Sequence, residues 1–173
     1  MRLIYLLSPL VVLVLGACGA PPQAERSDLQ AYLRQVEQWG AVEGDTARTI
    51  ERILDTQFVD EAAVYREIAD SRVRIGPHLE NLELAIPQTR RIRRIHTHYV
   101  GTWQRLLNTY RALEQGLREA DQALVAEGRA GLLAWRRGLR GVADELRTAA
   151  NDAGLTPGKN TNGPPTEAGE PFE

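Results

Sequence analysis

Cysteine is all but absent: Cys18 is the only one in 173 residues. A single thiol excludes an internal disulfide framework and any zinc site with more than one thiolate ligand. Lysine is equally scarce, with Lys159 alone among the basic residues that are not arginine. That bias reads as the codon usage of a GC-rich genome rather than as selection for phosphate or carboxylate binding. Serine downstream of Cys18 is limited to Ser27, which suits a helix cap, and Ser71, inside a helical pattern. A Ser-His-Asp nucleophile therefore finds no local support. No Glu-x-x-His pair, Cys-x-x-Cys-His run or glycine-rich loop after a strand occurs. Di-iron, covalent haem and phosphate-loop chemistry lack their residues. His96 and His98 are two apart, which on a helix points them in different directions, so they do not form a metal pair. The expectation is a chain with no metal, no cofactor and no catalytic residues, and not an enzyme. Nor does any apolar run after Cys18 approach the roughly 20 residues a spanning helix needs.

What is present begins at the N-terminus. Met1 and Arg2 give a positive start, and Leu3 to Leu15 form an apolar stretch interrupted only by Ser8 and Pro9. As a helix that stretch would be about 20 Å long, short of the roughly 30 Å hydrocarbon core of a bilayer. It reads as a secretory signal peptide over 1–17. Leu15-Gly16-Ala17-Cys18 follows at once. This segment resembles the lipobox of bacterial lipoproteins: an aliphatic residue, two small ones, then cysteine. The resemblance covers the N-terminus alone. It implies cleavage before Cys18, a diacylglyceryl group on its sulfur and, commonly, acylation of the new amine. Two or three long chains make attachment effectively permanent, because one myristoyl chain binds only marginally. The alternative is an ordinary secreted protein cut after Gly19 or Ala20. Gly19 stands where aspartate usually retains such proteins at the inner membrane, so the outer membrane is favoured, with the body facing the periplasm.

Residues 18–26, with Pro21 and Pro22, read as a lipidated tether, and 155–173, rich in Pro, Gly, Thr, Asn and Glu, as a disordered tail. Between them, over 27–154, apolar residues recur at helical spacing. Ser27 with Gln30 makes a capping box ahead of Leu29, Leu33 and Val36. The pattern resumes at Ala47, Ile50, Leu54 and Phe58, leaving Gly40–Asp45 as a bend or a turn. Asp60-Glu61 starts a second helix with Val64, Ile68, Ile75, Leu79, Leu82 and Ile86 on its apolar face, kinked at Gly76-Pro77. Pro87 is the clearest boundary. A third helix carries Ile92, Ile95, Tyr99, Trp103, Leu106, Tyr110, Leu113 and Leu117, and nearly the same phase continues through Leu124, Leu132, Trp135, Leu139, Val142 and Leu146. Of Gly116, Asp121, Gly128 and Gly131, the turn is placed at Glu127–Gly131. Gly154 suits a left-handed cap after the last helix. No segment alternates with the period of a strand. The fold class is all-α, an up-down antiparallel bundle of four helices, with a three-helix bundle or a long helical hairpin as alternatives. Trp39, Trp103 and Trp135 are assigned to its core or seams.

One segment departs from the average charge. From Leu84 to Leu113 there is no acid, while Arg90, Arg91, Arg93, Arg94, Arg105, Arg111, His96 and His98 fall inside it. At about 100° per residue, Arg90, Arg91, Arg94, His98 and Arg105 gather on one exposed strip, with His96 near the apolar seam. The strip suits an anionic partner, either an acidic envelope protein or anionic lipid headgroups, and not nucleic acid. The competing account is intramolecular: residues 19–70 hold eleven acids and five arginines, enough to neutralise the strip from the side. The expected function is a lipid-anchored helical protein that acts by protein interaction or structural support at the cell envelope. The alternative is a periplasmic sensor or binding module with a small molecule between its helices.

Overall fold

The computed structural model describes residues 23–55 and 60–155. The signal segment, Cys18 with its lipobox, Phe58 and the tail beyond Leu155 lie outside the described residues. Four helices follow one another: α1 (Gln23–Asp55), α2 (Glu61–Leu84), α3 (Arg90–Glu119) and α4 (Gln122–Asp152), with no strand among the described residues. They form an antiparallel bundle in which α3 packs most closely against α4, next against α2, and least against α1.

Each helix buries one seam at alternating steps of three and four, the spacing that packs helices about 20° off antiparallel. In α1 the seam is Leu29, Tyr32, Val36, Trp39, Glu43, Thr46, Ile50 and Ile53. It runs without a phase break through Gly40–Asp45, so the expected interruption is one continuous helix. Gly40 costs about 1 kcal/mol relative to alanine there, and the unbroken seam outweighs it. The helix also begins earlier than expected. Gln23 to Arg26 are helical, Glu25 sits favourably in the first turn, and Ser27 lies exposed inside the helix rather than capping it.

Asp60 caps α2 as expected, its side chain accepting from the Ala63 amide at 2.9 Å. The helix continues through Gly76-Pro77. Pro77 denies a donor to the Val73 carbonyl, and Val73 is 73 % exposed, which keeps the loss on the solvent side of the helix. Val64, Ile68, Ile75, Leu79 and Leu82 are buried, but Ile86 is 71 % exposed. The helix stops at Leu84, which removes Ile86 from the face that its spacing implied.

The turn between α3 and α4 falls at Ala120-Asp121, not at Glu127–Gly131. Asp121 accepts from the amides of Ala123 and Leu124 at 2.9 and 3.1 Å, and Ala120 takes the left-handed conformation at φ 53°. Gly128 and Gly131 are helical and serve packing instead. A Cβ on Gly128 would stand 2.3 Å from Leu113 Cγ, one on Gly131 2.4 Å from Thr109 Oγ1, and one on Gly138 2.8 Å from Thr102 Cγ2. Three glycines on one face let α4 lie close on α3. At the far end Gly154 (φ 63°) closes the last helix. Its amide bonds to Asn151 O at 3.0 Å and that of Leu155 to Ala150 O at 2.8 Å, satisfying the terminal carbonyls. Leu155 packs on the core and so belongs to the body, not to the tail.

Candidate functional site

Two groups of residues on this frame carry unusual chemistry: the basic strip of α3 and a line of polar groups inside the seams.

Arg90, Arg94 and Arg105 of the strip are exposed, and Arg91 and His98 are half-buried. The two half-buried members are tied down. Arg91 Nη2 donates to Asp152 Oδ2 at 2.6 Å and its Nη1 lies 3.5 Å from Glu25 Oε1. His98 Nδ1 lies 2.9 Å from Glu145 Oε1. Arg105 reaches the Thr102 hydroxyl at 3.1 Å. The lateral neutralisation expected from the early helices therefore comes mainly from α4, with Glu25 the contribution of α1. The strip borders two open grooves. One of about 230 Å³ is walled by Arg91, Arg94, Asp144 and Glu145. The other, of about 500 Å³, runs along the α3–α4 seam over Gly131 and Trp135, with Arg105 and Arg137 on opposite sides.

The interior group was only partly visible beforehand. Trp39, Trp103 and Trp135 do lie in core or seam positions, Trp103 fully buried. Between them stand ionisable side chains. Trp39 stacks on Tyr99, His78 meets Trp103 edge-on at 4.4 Å between centroids, and Trp135 meets Trp103 at 5.3 Å. The Tyr32 hydroxyl lies 3.0 Å from His96 Nδ1, joining α1 to α3. The Tyr99 hydroxyl donates to the Glu43 carboxylate across the same pair of helices. Ser71 and Tyr110 join their hydroxyls at 3.2 Å between α2 and α3. These links set the register of helices whose apolar contacts alone would tolerate sliding.

Burial drives every one of these groups toward its neutral form. It lowers His78 to about 4. It lowers His96 as well, against a hydrogen bond to the Leu82 backbone. It raises the Glu43 carboxyl, partly offset by the bond from Tyr99. It raises the phenols of Tyr32 and Tyr99, and takes Tyr110 to about 12. His78 Nε2 and Trp135 Nε1, both against Trp103, are buried without a hydrogen-bond partner among the described residues. No cluster of three or more His, Cys, Asp or Glu among those residues could hold a metal ion.

Sequence reasoning placed His96 near the seam and missed Glu43, Ser71 and His78. The available signal was positional: each occupies a seam step of three or four from apolar neighbours. No protein family, curated protein or solved structure matches the chain.

Proposed function

We propose that the chain is a bacterial lipoprotein, attached to a membrane through lipid on Cys18, whose helical body serves protein interaction or structural support at the cell envelope rather than catalysis. The observation that carries this reading is Leu15-Gly16-Ala17-Cys18 placed directly after the apolar segment Leu3–Leu15. The chain's one sulfhydryl falls where lipidation needs it. Among the described residues no helix is long and apolar enough to cross a membrane, which is compatible with attachment through acyl chains. The body offers a face suited to a partner along α3 and α4, where Arg105 and Arg137 flank a groove over small residues. Mass analysis of the mature N-terminus tests the anchor. The expected product begins at an acylated Cys18, and Cys18→Ser should release the protein from the membrane fraction. A mature chain with a free thiol, or one starting after Cys18, would overturn the anchor.

A second reading, a small-molecule binding module, is favoured by one feature. His78 Nε2 and Trp135 Nε1 are buried polar atoms without partners in the described structure, and Trp135 also lines the α3–α4 groove. A ligand with one donor and one acceptor would satisfy them. Capture from detergent-solubilised membranes separates the two readings: a stoichiometric protein supports the first, and a small molecule retained through purification supports the second.

A further inference from the structure

One end of the bundle gathers the N-terminus of α1, the α2–α3 connection and the C-terminus of α4. Asp28 of α1 accepts from the amides of Gln88 and Thr89 at 3.1 and 2.8 Å, and Arg91 joins Glu25 to Asp152. At this end the chain exposes two aliphatic side chains, Leu84 at 78 % and Ile86 at 71 %. Most exposed large apolar residues stand alone on helix faces, whereas these two sit together at a tip.

Arg90, Arg93 and Arg94 follow in the first two turns of α3 at this same end, all exposed. Arg93 braces the connection through the carbonyls of Pro87 and Gln88 at 3.3 and 3.0 Å. Arg90 and Arg94 have no carboxylate partner among the described residues. Glu25 and Asp152 are engaged with Arg91, Asp28 with the connection and Glu83 with Gln104, while Asp144 and Glu145, which share a groove with Arg94, pair with Arg147 and His98. Arg90 does not serve its own helix, because positive charge in the first turn opposes the α3 dipole. The placement of these arginines suits an external anion.

We infer that this tip docks on a membrane surface, with Leu84 and Ile86 entering the interfacial layer and Arg90, Arg93 and Arg94 meeting anionic headgroups. The inference rests on the proposed anchor at Cys18, and chain length ties the two together. Gln23 opens α1 five residues after Cys18. Five extended residues span about 18 Å at most, so a lipid on that sulfur holds this end of the bundle, and not the opposite one, beside the headgroups. Apolar side chains flanked by arginines are the composition that binds such an interface.

The test uses the lipid-anchored full chain on vesicles of phosphatidylethanolamine and phosphatidylglycerol, carrying Ile86→Cys labelled with an environment-sensitive fluorophore. Val73→Cys, equally exposed but midway along α2, is the control. The label at position 86 should shift to the blue on the vesicles and the label at 73 should not. Arg90→Ala with Arg94→Ala should lower the ratio of docked to undocked tips about twenty-five-fold, at about fivefold per arginine, and high salt should act in the same direction. Unchanged unfolding midpoints for these surface variants would exclude misfolding as the cause. An acylated Cys18 with position 86 as wet as position 73 overturns the docking and leaves the anchor standing. An unmodified Cys18 with the blue shift intact overturns the anchor and supports the docking surface. Shielding of position 86 only by an added envelope protein, never by lipid, overturns the inference in favour of a protein partner.

Discussion

His78 stands edge-on to Trp103, with ring centroids 4.4 Å apart, planes at 68°, and a buried Nε2 that has no hydrogen-bond partner among the described residues. Such an imidazole resists protonation. The unfolded chain takes up the proton near 6.5 and the folded chain only near 4. Falling pH therefore favours the unfolded chain between those values, and the loss is complete below about 4. At about 1.4 kcal/mol per unit the change is on the order of 3 kcal/mol. Urea unfolding at several pH values should show this slope, and His78→Leu should flatten it. A His78→Leu protein with the wild-type slope would place the titration elsewhere, with His96 the next candidate.

Glu43 works in the opposite sense. Burial raises its carboxyl, so its contribution is present below the ordinary carboxylate range and is lost as pH rises. Glu43→Gln keeps an acceptor for the Tyr99 hydroxyl without the buried charge. It should stabilise the fold at neutral pH, and less in acid. Tyr99→Phe removes the donor and strands the carboxylate, at a cost of about 1.5–3 kcal/mol. Unfolding midpoints of the two variants, measured at pH 4.5 and 7.5, check the sign.

Two glycine-to-alanine changes should differ in direction. Gly128→Ala drives a Cβ to 2.3 Å from Leu113 Cγ, and Leu113 is fully buried in the core. Overpacking of this kind costs about 1–3 kcal/mol, more than the roughly 1 kcal/mol that helix propensity returns. Gly40→Ala meets nothing within 4 Å and should stabilise by about 0.5–1 kcal/mol. Thermal denaturation of both variants is sufficient, and a stabilising Gly128→Ala would contradict the close α3–α4 contact.

Asp28 holds the α2–α3 connection through three hydrogen bonds, from the amides of Gln88 and Thr89 and from the Thr89 hydroxyl at 2.6 Å. Partial burial raises its pKa, but those bonds and the nearby Arg93 more than offset it and leave the net value lowered. Its stabilisation is thus present above the ordinary carboxylate pKa and lost as pH falls below it. Asp28→Ala should cost about 1–2 kcal/mol at neutral pH and much less in strong acid. Hydrogen exchange should show the amides of Gln88 and Thr89 losing protection first.

The helical class and most of the apolar seams were legible because burying a stripe on a helix needs a period that the sequence displays directly. Ile92 to Leu113 on α3 is the clearest instance, and Asp60 and Gly154 announced their ends through cap chemistry. Other boundaries misled for physical reasons. Gly40–Asp45 looks like a break because Gly40, Gly44 and Asp45 lower local helix preference, yet Glu43 between them is a seam residue held by Tyr99. Gly128 and Gly131 look like turn residues, and nothing local distinguishes a glycine that bends a chain from one that admits a neighbouring helix. Within the candidate site, the strip of Arg90, Arg91, Arg94, His98 and Arg105 could be drawn from helical geometry alone. Its pairing with Asp152 and Glu145 could not, since those residues lie 61 and 47 positions away.

Hydrophobic periodicity, cap residues and the run of arginines after Pro87 were properties of the chain read by itself, because each depends on neighbours within a turn or two. Which polar groups become buried, which arginines are neutralised and which stay free, and that Leu84 and Ile86 share a tip with the start of α1, were decided only when four helices met. Those outcomes depend on contacts between residues far apart in sequence, and burial, which shifts His78 and Glu43 toward neutrality, exists only once the helices exclude water.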